Sequence, residues 1–282
     1  MTFINGTYFK HQCNLQLTDY ADARTPLFSI KYNHQMQNDL VFCIPEYLAM
    51  LREQIDSGVV KVPDNFTLIT HNSDVNFSEQ AIESVVEYFP EMINWYTTNL
   101  LAPHPKVLPI PIGIANPKWS HGNQDRFKKV MEENNKKDKT YYANFNISTN
   151  PEERNYCCKA LGIEIEEKYP DAASIKDHDD FVEKTHEGYL RNMAQSYFTL
   201  SPDGNGKDCH KTWEAIYMRS IPIVTNSYFA TTFQNLGIPI FTIDDWRDFN
   251  HLNLTEKLYD EIWGDFDPSS LDFSFFTEDE DE

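Results

Sequence analysis

Apolar and polar positions alternate along this chain in short blocks. Leu40 to Ile44 is a continuous apolar run, and Glu46 to Asp56 carries apolar residues at helical spacing. Phe66 to Thr70 is again strand-like, Ser78 to Phe89 helix-like, and Lys106 to Ile110 strand-like. Strands alternating with helices predict a parallel sheet flanked by helices. From Pro117 to Lys139 the composition turns polar, and Lys128 to Lys139 is rich in Lys, Glu and Asn, which predicts a surface helix and a domain connection. A second alternation starts at Tyr141 to Ile147. It continues with a helix from Pro151, a helix from about Asp179 to Ser196 and a strand Tyr197 to Leu200. Ile243 to Trp263 is aromatic and acidic and reads as helical. The pattern divides the chain into a first domain at 1–125, a linker or surface helix at 126–139, a second domain at 140–250, and a helical segment with an acidic tail at 251–282.

The stretch Leu200 to Val224, LSPDGNGKDCHKTWEAIYMRSIPIV, carries the most chemistry. The apolar run stops at Ser201-Pro202, a turn holds Gly204 and Gly206, a helical pattern runs to about Arg219, and a second apolar run spans Ile221 to Val224. That is strand, glycine loop, helix, strand. A helix N-terminus presents unpaired N–H groups and the positive end of the dipole, which suits a phosphate. Glycines let the main chain approach a ligand closely. Lys207, His210 and Lys211 fall in the first turns, and Glu214 lies one turn beyond Lys211, where a carboxylate accepts sugar hydroxyls. Plainer readings compete. The glycines can simply make a tight turn. A Walker-type loop does not fit, because Ser201 stands where the first glycine belongs and Asp208 follows Gly206-Lys207. A dinucleotide fingerprint does not fit either, because Cys209 occupies the third glycine position.

DGNGKDCHKTWEAIYMRSIPIV resembles the C-terminal signature of the exostosin-like glycosyltransferases, in which a Gly-Asn-Gly loop precedes a His-(Arg/Lys)-Thr-Trp-Glu helix and an Ile-Pro-Ile-Val strand. Leu68 to Asp74 (LITHNSD), His104 to Asn116 (HPKVLPIPIGIAN) and Tyr142 to Arg154 (YANFNISTNPEER) resemble further blocks of that family, in the family's order. The resemblance covers roughly residues 65 to 225 and is nearest in character to the short members encoded by large algal viruses, the chloroviruses. It implies an α/β fold of the GT-B type: two Rossmann-like domains facing a cleft, with a C-terminal helix packing back on the first. It also implies a UDP-sugar donor, with UDP-xylose suggested by the viral likeness alone, and a glycan acceptor. Donor-binding residues carried over are Asn144, Arg154, Ser201, Gly204, Asn205, Gly206, Lys207, His210, Lys211, Thr212 and Glu214. Two positions depart from the family pattern. Asp203 stands where an arginine is common, and Arg219 where a small residue is usual.

Inverting transfer needs a base for the acceptor hydroxyl. His71-Asn72-Ser73-Asp74 follows a predicted strand at its carboxyl end, where ligands gather in open α/β sheets. Asp74 is the first choice for the base and His71 the second; the plainer reading is an Asx-turn. Pro111, Gly113 and Asn116 mark a candidate donor or acceptor loop, equally readable as a rigid proline turn, with His104 and His121 flanking it. Arg154 forks naturally onto phosphate oxygens, and cations at the departing diphosphate stabilise the transition state more than the ground state. Its plainer reading is a helix-surface ion pair with Glu152, Glu153 or another carboxylate. Two Asp-x-Asp motifs, Asp177-His178-Asp179 and Asp265-Phe266-Asp267, lie in polar surroundings and not after buried strands, so no metal is expected. Trp213 reads as core packing.

The composition narrows the partners. With 24 basic against 44 acidic residues the net charge is −20, which argues against nucleic acid and anionic membrane surfaces. Glu278 to Glu282 reads as a solvated tail. The five cysteines form no C-x-x-C pair and fit reduced thiols, and no basic leader or long apolar run appears, so a cytoplasmic protein without signal peptide or membrane segment is expected. The leading reading is an inverting UDP-sugar-dependent glycosyltransferase needing no cofactor. The alternative is a catalytically inert nucleotide- or sugar-binding protein of the same fold.

Overall fold

The computed structural model describes residues 1–19, 28–163 and 185–277. The chain divides into two compact units, one formed by Met1–Ile112 with Leu271–Glu282, the other by Gly113–Ser270.

The first unit is built on six strands: β1 (Leu15–Asp19), β2 (Phe28–Tyr32), β3 (Leu40–Cys43), β4 (Phe66–Thr70), β5 (Met92–Thr97) and β6 (Val107–Pro109). Their order is β2-β1-β3-β4-β5-β6, antiparallel between β1 and β2 and parallel elsewhere. Every residue of β4 is buried, as expected of a central parallel strand covered on both faces. Helices α1 (Gly6–His11), α2 (Leu48–Asp56) and α3 (Glu79–Tyr88) join the set, with Asn5 capping α1 and Ser78 capping α3 through their side chains. The hydrophobic pattern did not disclose α1, the β1–β2 pair or β5.

The second unit holds four parallel strands, β7 (Lys139–Tyr142), β8 (Ser196–Leu200), β9 (Ile221–Thr225) and β10 (Phe241–Ile243), in the order β10-β9-β8-β7. Its helices are α4 (Gln124–Glu132), α5 (Pro151–Leu161), α6 (His186–Ala194), α7 (His210–Tyr217), α8 (Tyr228–Asn235) and α9 (Glu256–Trp263). Phe198, Leu200, Ile221, Ile223 and Ile243 pack with Cys157 and Cys158 of α5 and with Trp246, Phe249 and Trp263. Side chains alternate across a strand. Thr199 therefore faces the opposite side, where its hydroxyl meets Ser220 at 2.7 Å.

The two sheets, one mixed and one parallel, are compatible with a Rossmann-like glycosyltransferase fold. The parallel strands of each sheet follow chain order, so no order reversal, and hence no topological switch point, occurs among the described residues. The glycine loop owes its place to the carboxyl end of β8 alone.

Two segments complete the units. The 126–139 stretch, read as a linker or surface helix, includes most of α4, which buries Phe127 and Val130, packs against α6 and lies in the second unit. Its polar composition reflects its outer face only. Of the 251–282 segment, α9 joins the second unit's core through Trp263, with Leu258, Tyr259 and Ile262 packed against that core. It is the short helix α10 (Phe273–Thr277) that belongs to the first unit, where the Phe273 amide donates to Tyr8 Oη at 2.9 Å and Phe276 lies against Phe9. No described helix is long and apolar enough to cross a membrane.

Candidate functional site

Strand β8 ends at Leu200, and Ser201 extends its pairing by donating to the Ile223 carbonyl at 2.9 Å. The chain then turns tightly, the Gly204 amide donating to the Gly206 carbonyl at 3.1 Å. Gly204 and Gly206 are not at positive φ. What Gly204 provides is space: a Cβ there would lie 3.3 Å from Arg154 Nη2. Arg154, in the first turns of α5, is only 6% exposed. Its Nε donates to the Asp203 carbonyl at 2.9 Å and its Nη1 to the Asn146 carbonyl at 2.5 Å. The plainer alternative, an ion pair with Glu152 or Glu153, does not form, and Glu153 accepts from Trp246 Nε1 at 2.7 Å. A buried guanidinium thus ties two loops together and pairs with no carboxylate among the described residues.

Helix α7 is anchored by Trp213, fully buried, with Nε1 donating to Asp208 at 2.8 Å, so the expected packing role of Trp213 is what the structure shows. That anchoring sets Lys211 and Glu214, at i and i+3, on one face. Both reach the hydroxyl of Tyr189 on α6. Lys211 Nζ donates to Tyr189 Oη at 2.6 Å and also to the Asn144 carbonyl, and Tyr189 Oη donates to Glu214 Oε2 at 2.7 Å. Glu214 is 5% exposed and Lys211 8%. Burial pulls the Lys211 amine down to about 8, opposed by the nearby Glu214 carboxylate.

His186, at the start of α6, stacks on Tyr189 with ring centroids 5.9 Å apart. Both of its ring nitrogens are buried without a hydrogen-bond partner among the described residues. Burial holds its pKa below the ordinary histidine value, with Glu214 acting in the opposite direction.

Other expected residues fall into place around this core. Asn144 Nδ2 donates to Tyr142 Oη, and Ser201 Oγ lies 3.0 Å from Thr212 Oγ1. His210 Nδ1 lies 2.7 Å from the Gly113 carbonyl. A carbonyl only accepts, so Nδ1 carries the proton in that contact. Gly113 itself sits at φ 66°, the left-handed region that favours glycine, and Asn116 follows on the same loop. Lys207 is paired with the side chain of Asp203, so much of its charge is already answered. Burial raises the Asp203 carboxyl above its usual range, while Lys207 pulls it back. Asn205 is exposed at the tip of the loop.

In the first unit the block after β4 separates into unlike residues. His71 is buried, its Nδ1 accepting from the Asn72 amide at 2.7 Å and its Nε2 facing the Pro111 carbonyl at 3.1 Å. Both ring nitrogens thereby have partners, with Nδ1 as acceptor and Nε2 placed to donate. Pro111 is the acceptor in that contact. Asn72 adopts φ 65° and presses on Gly6, where a Cβ would collide with its amide. Asp74 is exposed at the carboxyl end of β4, and next to it Ser73 Oγ donates to Glu46 at 2.7 Å.

Among the described residues no group of three His, Cys, Asp or Glu is gathered as for a metal ion. Asp267 accepts from the Ser269 amide and hydroxyl as the cap of a 3-10 turn, and Asp177-His178-Asp179 lies outside the described residues. Sequence reasoning missed Tyr189 and Asn150, whose Nδ2 donates to the Gly204 carbonyl at 2.9 Å. Neither sits in the glycine-loop block, and only tertiary packing brings them to it.

Residues 124–259, just under half of the chain, match the family model described as the RXYLT1 C-terminal domain. That segment contains Arg154, Tyr189, the glycine loop and α7, and the match supports a glycosyltransferase, xylosyltransferase-related relationship at the coarse level. No curated protein matches the chain significantly.

Proposed function

We propose that the second unit binds the nucleoside diphosphate of a sugar donor, and that the protein is an inverting UDP-sugar-dependent glycosyltransferase. One observation carries this reading. In a chain of net charge −20, two buried cations, Arg154 and Lys211, converge around the Gly204 loop and neither is paired with a carboxylate among the described residues. Buried charges are costly unless answered. Here carbonyl and phenol oxygens answer them only in part, and a diphosphate would supply the missing charge. Glu214, with Oε2 held by Tyr189, offers Oε1 to the ribose hydroxyls. As the sugar departs, negative charge grows on the β-phosphate, and the two cations stabilise it without assistance from a cofactor.

The acceptor base is assigned to Asp74, whose carboxylate is exposed at the carboxyl end of β4, with buried His71 as the second choice. Xylose as the donor sugar rests on the sequence resemblance together with the family match over 124–259. The test is a thermal-shift panel of UDP, GDP, CDP and ADP, followed by hydrolysis of UDP-sugars. A transferase is stabilised selectively by one diphosphate and slowly hydrolyses its own sugar nucleotide. Stabilisation without hydrolysis of any sugar nucleotide would instead describe an inert binder, and no stabilisation would remove the donor site.

A further inference from the structure

Lys211 and Glu214 present opposite charges from the same face of α7, both nearly buried, yet they do not form an ion pair. Side chains at this spacing and of opposite charge ordinarily meet directly. The Tyr189 hydroxyl stands between them, accepting from the ammonium at 2.6 Å and donating to the carboxylate at 2.7 Å. The Tyr189 ring is held by packing. His186 stacks on it at 5.9 Å and 18°, and Tyr142 meets it edge-on at 5.9 Å and 61°. Its hydroxyl therefore cannot drift away without moving α6.

We propose that Tyr189 is a positioning residue for donor recognition, a spacer that keeps Lys211 and Glu214 from neutralising each other so that one serves the diphosphate and the other the ribose. This rests on the reading of the site as a nucleoside diphosphate site. The chemistry is one of competition for partners. A carboxylate paired with an ammonium has less negative charge to offer a hydroxyl, and the ammonium less positive charge to offer a phosphate. A phenol divides the interaction: it satisfies one oxygen of Glu214, leaving Oε1, and takes one of the three Lys211 donors.

The experiment is Tyr189→Phe, which keeps the ring and its packing and removes only the hydroxyl. Dissociation constants are measured by calorimetry for UDP, 2′-deoxy-UDP and uridine. The wild type should prefer UDP to 2′-deoxy-UDP. In Y189F, direct pairing of Lys211 with Glu214 should lower UDP affinity about tenfold or more and bring the UDP to 2′-deoxy-UDP ratio close to one, with thermal stability retained. A merely structural tyrosine would lose stability and leave that ratio unchanged. The double variant Y189F/E214Q, where no ion pair can form, should bind UDP no more weakly than E214Q alone. It also decides the matter should Y189F fail to fold. Wild-type discrimination retained in Y189F, or a further loss in the double variant, overturns the spacer role alone. Failure of the wild type to bind any nucleoside diphosphate overturns the donor-site reading and the spacer with it.

Discussion

Replacing Arg154 by lysine tests the donor site at its most constrained cation. The guanidinium makes two charge-assisted bonds, to the Asp203 and Asn146 carbonyls, from a side chain 6% exposed. A lysine keeps the charge but presents it as a single point that cannot fork to both loops. One of the two bonds is therefore lost, and hydrogen bonds to charged groups contribute about 1.5–3 kcal/mol each. Chemical denaturation should show a stability loss of about that size. For ligands, losing the forked contact to phosphate at a similar cost corresponds to roughly 10- to 100-fold weaker UDP binding. Uridine has no phosphate and should keep its affinity within about twofold, a difference of roughly 0.4 kcal/mol. Calorimetry with both ligands on the same preparation separates the two effects. Equal losses for UDP and uridine would mean that Arg154 only shapes the loops, and unchanged UDP affinity would exclude it from the site altogether.

Three further outcomes are expected. Asp74→Asn alters an exposed side chain, so stability and UDP-sugar affinity should hold while the single-turnover rate falls by about 10²–10⁴; a near-wild-type rate would acquit Asp74 and turn attention to Glu46, which holds Ser73 beside it. His186→Phe should stabilise the fold by about 1–3 kcal/mol, because it removes two buried nitrogens that lack partners among the described residues while retaining the stack on Tyr189. Burial lowers the folded His186 pKa, so as pH falls below about 6.5 the unfolded chain takes up the proton first and stability drops; urea midpoints at pH 7.5 and 5.5 should show a smaller drop in the variant, and an undiminished one would refute the assignment. Because Arg154 and Lys211 supply the positive charge, turnover should survive exhaustive chelation; activity lost in EDTA and restored by manganese or magnesium would send the search to Asp177-His178-Asp179.

Where a pattern repeats at the period of its own element, the sequence was enough. Phe66 to Thr70 is a strand from end to end, and Pro151 starts a helix that Gly162 closes at φ 64°, because backbone preference and local burial agree there. Helix α7 likewise follows from HKTWEAIY, with Trp213 in the core. Strand β5 was not legible: Asn94 interrupts the apolar run of Met92-Ile93 and Trp95-Tyr96.

At the site, the sequence determined which groups are available: three cations, Arg154, Lys207 and Lys211, and the carboxylate of Glu214 beside a glycine turn in an acidic chain. It could not determine which of them are already spoken for. Lys207 is drawn off by Asp203, and His71 is locked by Asn72 and Pro111. Arg154 meets no acid among the described residues, and Lys211 is separated from Glu214 by a tyrosine 22 residues distant from the first. Those outcomes depend on which carbonyls, amides and rings arrive at the same point in space. Hydrogen-bond partners compete over distances of about 3 Å, and only the packed tertiary structure sets distances that short between residues far apart in the chain.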